Sequence, residues 1–135
     1  MSQPDLDQTE LAKRLYPHYR EATIVDYARV AIEAAWQPWA KECHANATTW
    51  AAHNSGWSAV RGWLVFDFSY LPSPFIRFLA HSVVQDPDGK LWDITPPALE
   101  ASRQYPFFRH PGTADEFRDF VERHGLIQVD HFIDQ

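Results

Sequence analysis

The stretch PFIRFLAHSVVQDPDGKLWDIT, residues 74–95, restricts the fold more than any other part of the chain. A run over about 75–85 rich in β-branched and aromatic residues meets the turn sequence DPDG, and a second run over 90–95 follows. Two strands joined by so short a connection pair antiparallel. The turn then sets the register. If it closes with a glycine bulge, Asp86 pairs with Lys90, Val83 faces Asp93 and His81 faces Thr95. His81 and Asp93 then share one face as diagonal neighbours about 7–8 Å apart, within reach through their side chains. A simple two-residue turn places them on opposite faces.

The other elements arrange themselves around this hairpin. TELAKRLY, residues 9–16, spaces Leu11 and Leu15 on one helical face and stops at Pro17. TIVDYARVAIEAAWQPW has Thr23 as a cap with Asp26 three residues on, then Ile24, Ala28, Ala31 and Ala35 at helical spacing, so a second helix is expected up to Pro38. A third is expected from Cys43 to His53, closed by Asn54, Ser55 and Gly56. SAVRGWLVFDFSY reads as a strand, and PPALEASRQYPFFRHPG as a proline-punctuated surface segment. TADEFRDFVERHG is a helix with the box Thr113…Glu116, a stripe of Phe117, Phe120 and Val121, and Gly125 at its end. LIQVDHFI is a last strand. Helices first, then mostly antiparallel strands, then a helix and a strand define an α+β class in a single domain over 1–135.

Forty-five per cent apolar residues suffice for a real core at 135 residues. The net charge of −6, with 12 scattered Lys and Arg, argues against a nucleic-acid partner. Apolar runs such as WLVF are far too short to span a membrane, and MSQPDLDQTE is unlike a signal peptide, so a cytoplasmic protein without a membrane role is expected. The six tryptophans, Trp36, Trp39, Trp50, Trp57, Trp63 and Trp92, are expected mainly in the core.

The single cysteine, Cys43, excludes an internal disulfide and a CxxC-type zinc site. It is either a small buried apolar residue or a nucleophile. A thiol reacts as the thiolate, and a helix N-terminus with an imidazole nearby favours that form. Cys43 heads the expected helix, with Asn46 and Trp50 along the same face. Of the seven histidines, His18, His53 and His124 have ready structural roles, and nothing marks His110 or His131. His44 points about 100° away from its neighbour, which suits it to lining a pocket more than to serving Cys43 as a base. His81 lies mid-strand in FLAHSVV, where a buried imidazole needs a partner. Asp93 on the returning strand can orient it and stabilise its protonated form.

A cysteine-headed helix, a strand histidine and a hairpin return reading GKLWDITP together resemble the core of the transglutaminase-like superfamily of papain-like cysteine hydrolases, over roughly residues 36–96. The chain reads ECHAN where that family commonly reads G-x-C, and Trp92 directly precedes Asp93. The resemblance implies Cys43 as nucleophile, His81 as general base and acid, and Asp93 as its orienter. It also implies an oxyanion role for Gln37, six residues before the cysteine, beside the backbone N–H of Cys43. His44, Asn46, Trp50 and Gln37 are the candidate substrate-binding residues. The expected activity is acyl transfer through a thioester on a peptide, protein or small-molecule amide, as an amidase, deamidase or peptidase, with no cofactor. Two other readings stay open. Cys43, His44, His81 and Asp93 could ligate zinc. Alternatively, the chain is a non-enzymatic binding or immunity-type module with Cys43 merely buried.

Overall fold

The computed structural model describes residues 7–33, 35–97, 104–125 and 127–133. Among these the chain forms three α-helices and one six-stranded sheet, an α+β arrangement. In chain order the elements are α1 (Gln8–Leu15), β1 (Asp26–Tyr27), α2 (Cys43–His53), β2 (Ser58–Phe68) and β3 (Phe75–Gln85). β4 (Leu91–Asp93), β5 (Phe107–Arg109), α3 (Ala114–His124) and β6 (Gln128–Phe132) complete them. No helix of the described residues is long and apolar enough to cross a membrane.

α1 and α3 begin at side-chain caps. The Asp7 side chain accepts from the Glu10 N–H at the start of α1, and the Thr113 hydroxyl accepts from the Glu116 N–H at the start of α3. Gly125 ends α3 at φ +73°. α1 stops at Leu15, and a 3-10 turn over Tyr16–Glu21 carries the chain through Pro17, whose fixed φ suits a first turn. The hairpin turn closes as the bulge requires. Asp86 N–H donates to Lys90 O at 2.9 Å, Gly89 takes φ +91°, and Val84 pairs with Trp92. The side chain of Asp86 accepts from the N–H groups of Asp88 and Lys90 and from the Trp92 indole, which fixes the loop.

β2 and β3 pair along their full length and form the sheet's spine. One face carries Trp63, Val65, Ile76, Phe78 and Ala80 against Leu11 and Leu15 of α1 and Phe117 and Phe120 of α3. Burying each Leu, Ile, Val or Phe of this set stabilises by about 1.5–3 kcal/mol. Farther along, α2 sets Ala47 against Val84 and Ile94. On the other face a smaller core joins Val25, Val60, Val83 and Phe107.

Among the described residues of 24–37 the expected helix does not form. Thr23 exchanges both backbone hydrogen bonds with Phe107, β1 pairs in parallel with β4, and Ile32 bridges Trp36. The strand order β1-β4-β3-β2-β5 places β4 and β5 on opposite sides of the β2–β3 pair, so residues 23–28 join the sheet's two sides and enclose Val25. Satisfying two sheet edges with backbone hydrogen bonds outweighs the weak helical preference of a few spaced alanines. The expected surface segment before α3 likewise contributes β5, with Phe107 and Phe108 buried, while residues 98–103 within it lie outside the described residues. The second hairpin strand is shorter than expected, ending at Asp93.

Candidate active site

β4 and β6 share one edge of β3, because β2 occupies the other. β4 pairs with residues 84–85 and β6 with 75–79, and Ala80 N–H donates to Ile127 O. The ladder is therefore interrupted beside residues 81–83, next to His81. α2 packs on β2 and β3 and brings its first residue, Cys43, to this region. Glu42 makes no side-chain cap. The first-turn N–H groups, whose intrahelical acceptors do not exist, are thus left for other acceptors.

His81 Nε2–H donates to Asp93 Oδ2 at 2.7 Å, and both side chains are largely buried. Asp93 is itself held on two sides. Its Oδ1 accepts from Thr95 N–H at 3.1 Å, and its carbonyl accepts from Ala28 N–H at 2.9 Å. With Nε2 committed to the carboxylate, Nδ1 is the nitrogen left for the thiol. The ring of Phe107 meets His81 edge-on, its centroid 6.2 Å away, and occupies the space above Gly62, the residue paired with His81.

Burial alone would push the Cys43 thiol up. The neighbouring imidazoles of His44 and His81 outweigh it, and the thiol falls to about 6. Burial likewise pulls His81 down, but its bond to Asp93 and the neighbouring Cys43 raise it to about 10. At neutral pH the pair is thiolate and imidazolium, the state that a helix N-terminus also favours.

The remaining expected residues divide. His44 bonds through Nδ1 to Ser82 Oγ at 2.6 Å, and its buried Nε2 has no hydrogen-bond partner among the described residues. Asn46 is buried and committed to the backbone. Its Oδ1 accepts from Trp39 N–H, and its Nδ2 donates to Trp39 O and Thr95 Oγ1, so it ties the loop before α2 to the strand end beyond Asp93. Trp50 packs against Trp57 with ring centroids 5.6 Å apart. Gln37 lies with Glu33, Trp36 and Trp39 along a separate surface depression that none of Cys43, His81 and Asp93 lines. Trp39 is exposed rather than in the core. Among the described residues no three His, Cys, Asp or Glu side chains converge as a metal site, so the suggested zinc set is not assembled.

Sequence reasoning passed over Arg61 and Ser82. Arg61 Nη1 donates to Ser82 Oγ at 2.9 Å and to His44 O at 3.1 Å, and Nη2 donates to Thr48 Oγ1 at 2.6 Å. The signal was an arginine in the otherwise apolar strand SAVRGWLVF. His110 was also unmarked, yet it is buried between Trp63 and Glu116.

The site and fold together define an α+β protein with a cysteine-headed helix, a strand histidine and a hairpin aspartate. No protein family, curated protein or solved structure matches the chain.

Proposed function

We propose that the protein is a cysteine-dependent acyl-transfer enzyme of the papain-like, transglutaminase-like type, acting on carboxamide or peptide bonds. The observation that carries the reading is the 2.7 Å bond from His81 Nε2–H to Asp93, beside a thiol held low by two imidazoles. In this mechanism the Cys43 thiolate attacks the carbonyl carbon, and the first-turn N–H groups of α2 receive the developing oxyanion. The C–N bond breaks as His81 gives its proton to the leaving nitrogen, releasing ammonia or an amine and leaving a thioester on Cys43. Water, or a second amine, then attacks the thioester while neutral His81 takes a proton from it. The acyl product leaves, and the thiolate–imidazolium pair is restored. Asp93 keeps Nε2 as the donor throughout, so Nδ1 exchanges the proton.

The test is the rate of Cys43 alkylation against pH in the wild type and in His81→Ala, followed by a screen of amides for ammonia or amine release. A thiol titrating near 6 in the wild type, and much closer to its ordinary value in the variant, is the expected result. A slow thiol with no low midpoint in either protein overturns the catalytic reading and favours a binding module.

A further inference from the structure

Arg61 of β2 stands opposite Ser82 of β3, half-buried in the wall of a cavity of about 440 Å³ between α2, β2 and α3. Its five N–H donors can be followed one by one. Nη1 donates to His44 O and Nη2 to Thr48 Oγ1, and these two oxygens lie 3.0 Å apart, so they share the Nη1–Nη2 edge of the fork. The outer N–H of Nη1 goes to Ser82 Oγ at 2.9 Å. Nε–H and the outer N–H of Nη2 remain, and neither has a partner among the described residues. Nε is unpartnered yet not buried, so this edge opens toward the cavity. Elsewhere in the sheet, Arg77 offers the same Nε–Nη2 edge to both oxygens of Asp130, at 2.9 and 3.2 Å.

The neighbouring imidazole adds a third donor. Ser82 is buried, and its hydroxyl meets only Arg61, which cannot accept, and His44 Nδ1 at 2.6 Å. The hydroxyl of Ser82 therefore donates to His44 Nδ1, which puts the neutral ring's hydrogen on Nε2. That Nε2 is buried without a partner among the described residues, and His44 lines the same cavity. Every uncommitted side-chain polar group of Arg61 and His44 is thus a donor, beside one fixed positive charge.

Across the cavity, Asp115 is paired with Arg118 at 3.3 Å, while exposed Glu122 has no ion-pair partner among the described residues. Phe117 and Val121 supply an apolar side. A half-buried guanidinium bonded only to neutral oxygens is costly until an anion compensates it. The facing charge of Glu122 opposes a multiply charged anion more than a singly charged one, and the free edge matches two oxygens in one plane. We propose that this cavity binds a small carboxylate with an apolar body, its two oxygens on the Nε–Nη2 edge of Arg61. The inference does not depend on the acyl-transfer reading.

The experiment titrates the isotope-labelled protein at neutral pH with hexanoate, hexanamide and inorganic phosphate, following the Arg61 Nε–H signal and the amides of Thr48 and Thr49 by NMR. Hexanoate is expected to shift these signals saturably, and hexanamide, similar in shape but uncharged, to bind at least about tenfold more weakly. Arg61→Lys keeps the charge but loses the planar edge, and should weaken hexanoate by about tenfold. Glu122→Gln, at an exposed position, removes the facing charge and should tighten it by about twofold. No saturable shift with hexanoate, or equal binding of hexanamide, overturns the proposal. Phosphate binding as tightly as hexanoate overturns the carboxylate assignment in favour of a general anion site. Unchanged hexanoate affinity in folded Arg61→Lys overturns the role of its edge. If that variant does not fold, Glu122→Gln decides: an affinity that fails to rise places the carboxylate elsewhere.

Discussion

At the scale of single residues, Cys43 and His81 act on protons in opposite senses. Unfolded, Cys43 holds its proton up to about 9; folded, it releases it above about 6. Between those values folding expels a proton, so this contribution to stability grows with pH and is lost as pH falls toward 6. His81 does the reverse. Its folded form keeps a proton from 6.5 up to about 10, and the stability it adds is full below 6.5 and lost as pH rises through 10. The two slopes oppose each other between about 6.5 and 9. Cys43→Ser removes one and leaves the Asp93-bonded imidazole. We therefore expect denaturant-derived stability to be nearly flat with pH in the wild type and to fall with rising pH in the variant, by no more than about 1.4 kcal/mol per unit. A variant as flat as the wild type would mean that His81 is not held protonated.

At the scale of elements, the turn after β3 sets the position of Asp93. Gly89 sits at φ +91°, where a Cβ is strained, and Gly89→Ala should cost about 1–2 kcal/mol by chemical denaturation. The same change loosens the register of Leu91–Asp93, so the alkylation midpoint is expected to drift upward as His81 loses its orienter. Unchanged values for both would show that the bulge does not control the pair. This hairpin and the span of α2 were legible in the sequence because their signals are local: DPDG for one, Asn54-Ser55-Gly56 for the other. Residues 23–28 were not legible. Their partners Phe107 and Asp93 are remote in sequence, and helical spacing of alanines says nothing about which strand edges need covering. Arg61 went unread because strand alternation in SAVRGWLVF could not reveal that α2 would dock on its face, with Thr48 as an acceptor opposite Ser82.

At the scale of the whole molecule, a polar chain that runs from the core to the surface joins elements distant in sequence. Trp63 Nε1–H of β2 donates to His110 Nδ1, His110 Nε2–H donates to Glu116 of α3, and Arg14 of α1 pairs with Glu116 at 3.0 Å. Burial keeps His110 below its ordinary value and neutral, although Glu116 pulls the other way. The unfolded chain takes up a proton there from about 6.5 downward and the native one resists, so this site makes stability fall in mild acid. His110→Ala should cost about 1–3 kcal/mol from the orphaned indole N–H alone and make the decline between pH 6.5 and 5 shallower. A decline as steep as in the wild type would assign the acid sensitivity elsewhere. The candidate triad was readable because Cys43, His81 and Asp93 each stand at a marked local position; this network was not, because nothing in RQYPFFRHPG announces a strand with a buried histidine at its end. The closure of the sheet by residues 23–28 also governs the order of assembly. The β2–β3–β4 meander joins neighbours in the chain, whereas the strap must find one partner far downstream on each side, and contacts of that separation form late. Until they form, β4 and β5 expose bare strand edges beside apolar Val60, Val83 and Phe107, the surface on which chains pair with one another. Refolding yield should therefore depend on protein concentration, and most steeply when the strap is weakened.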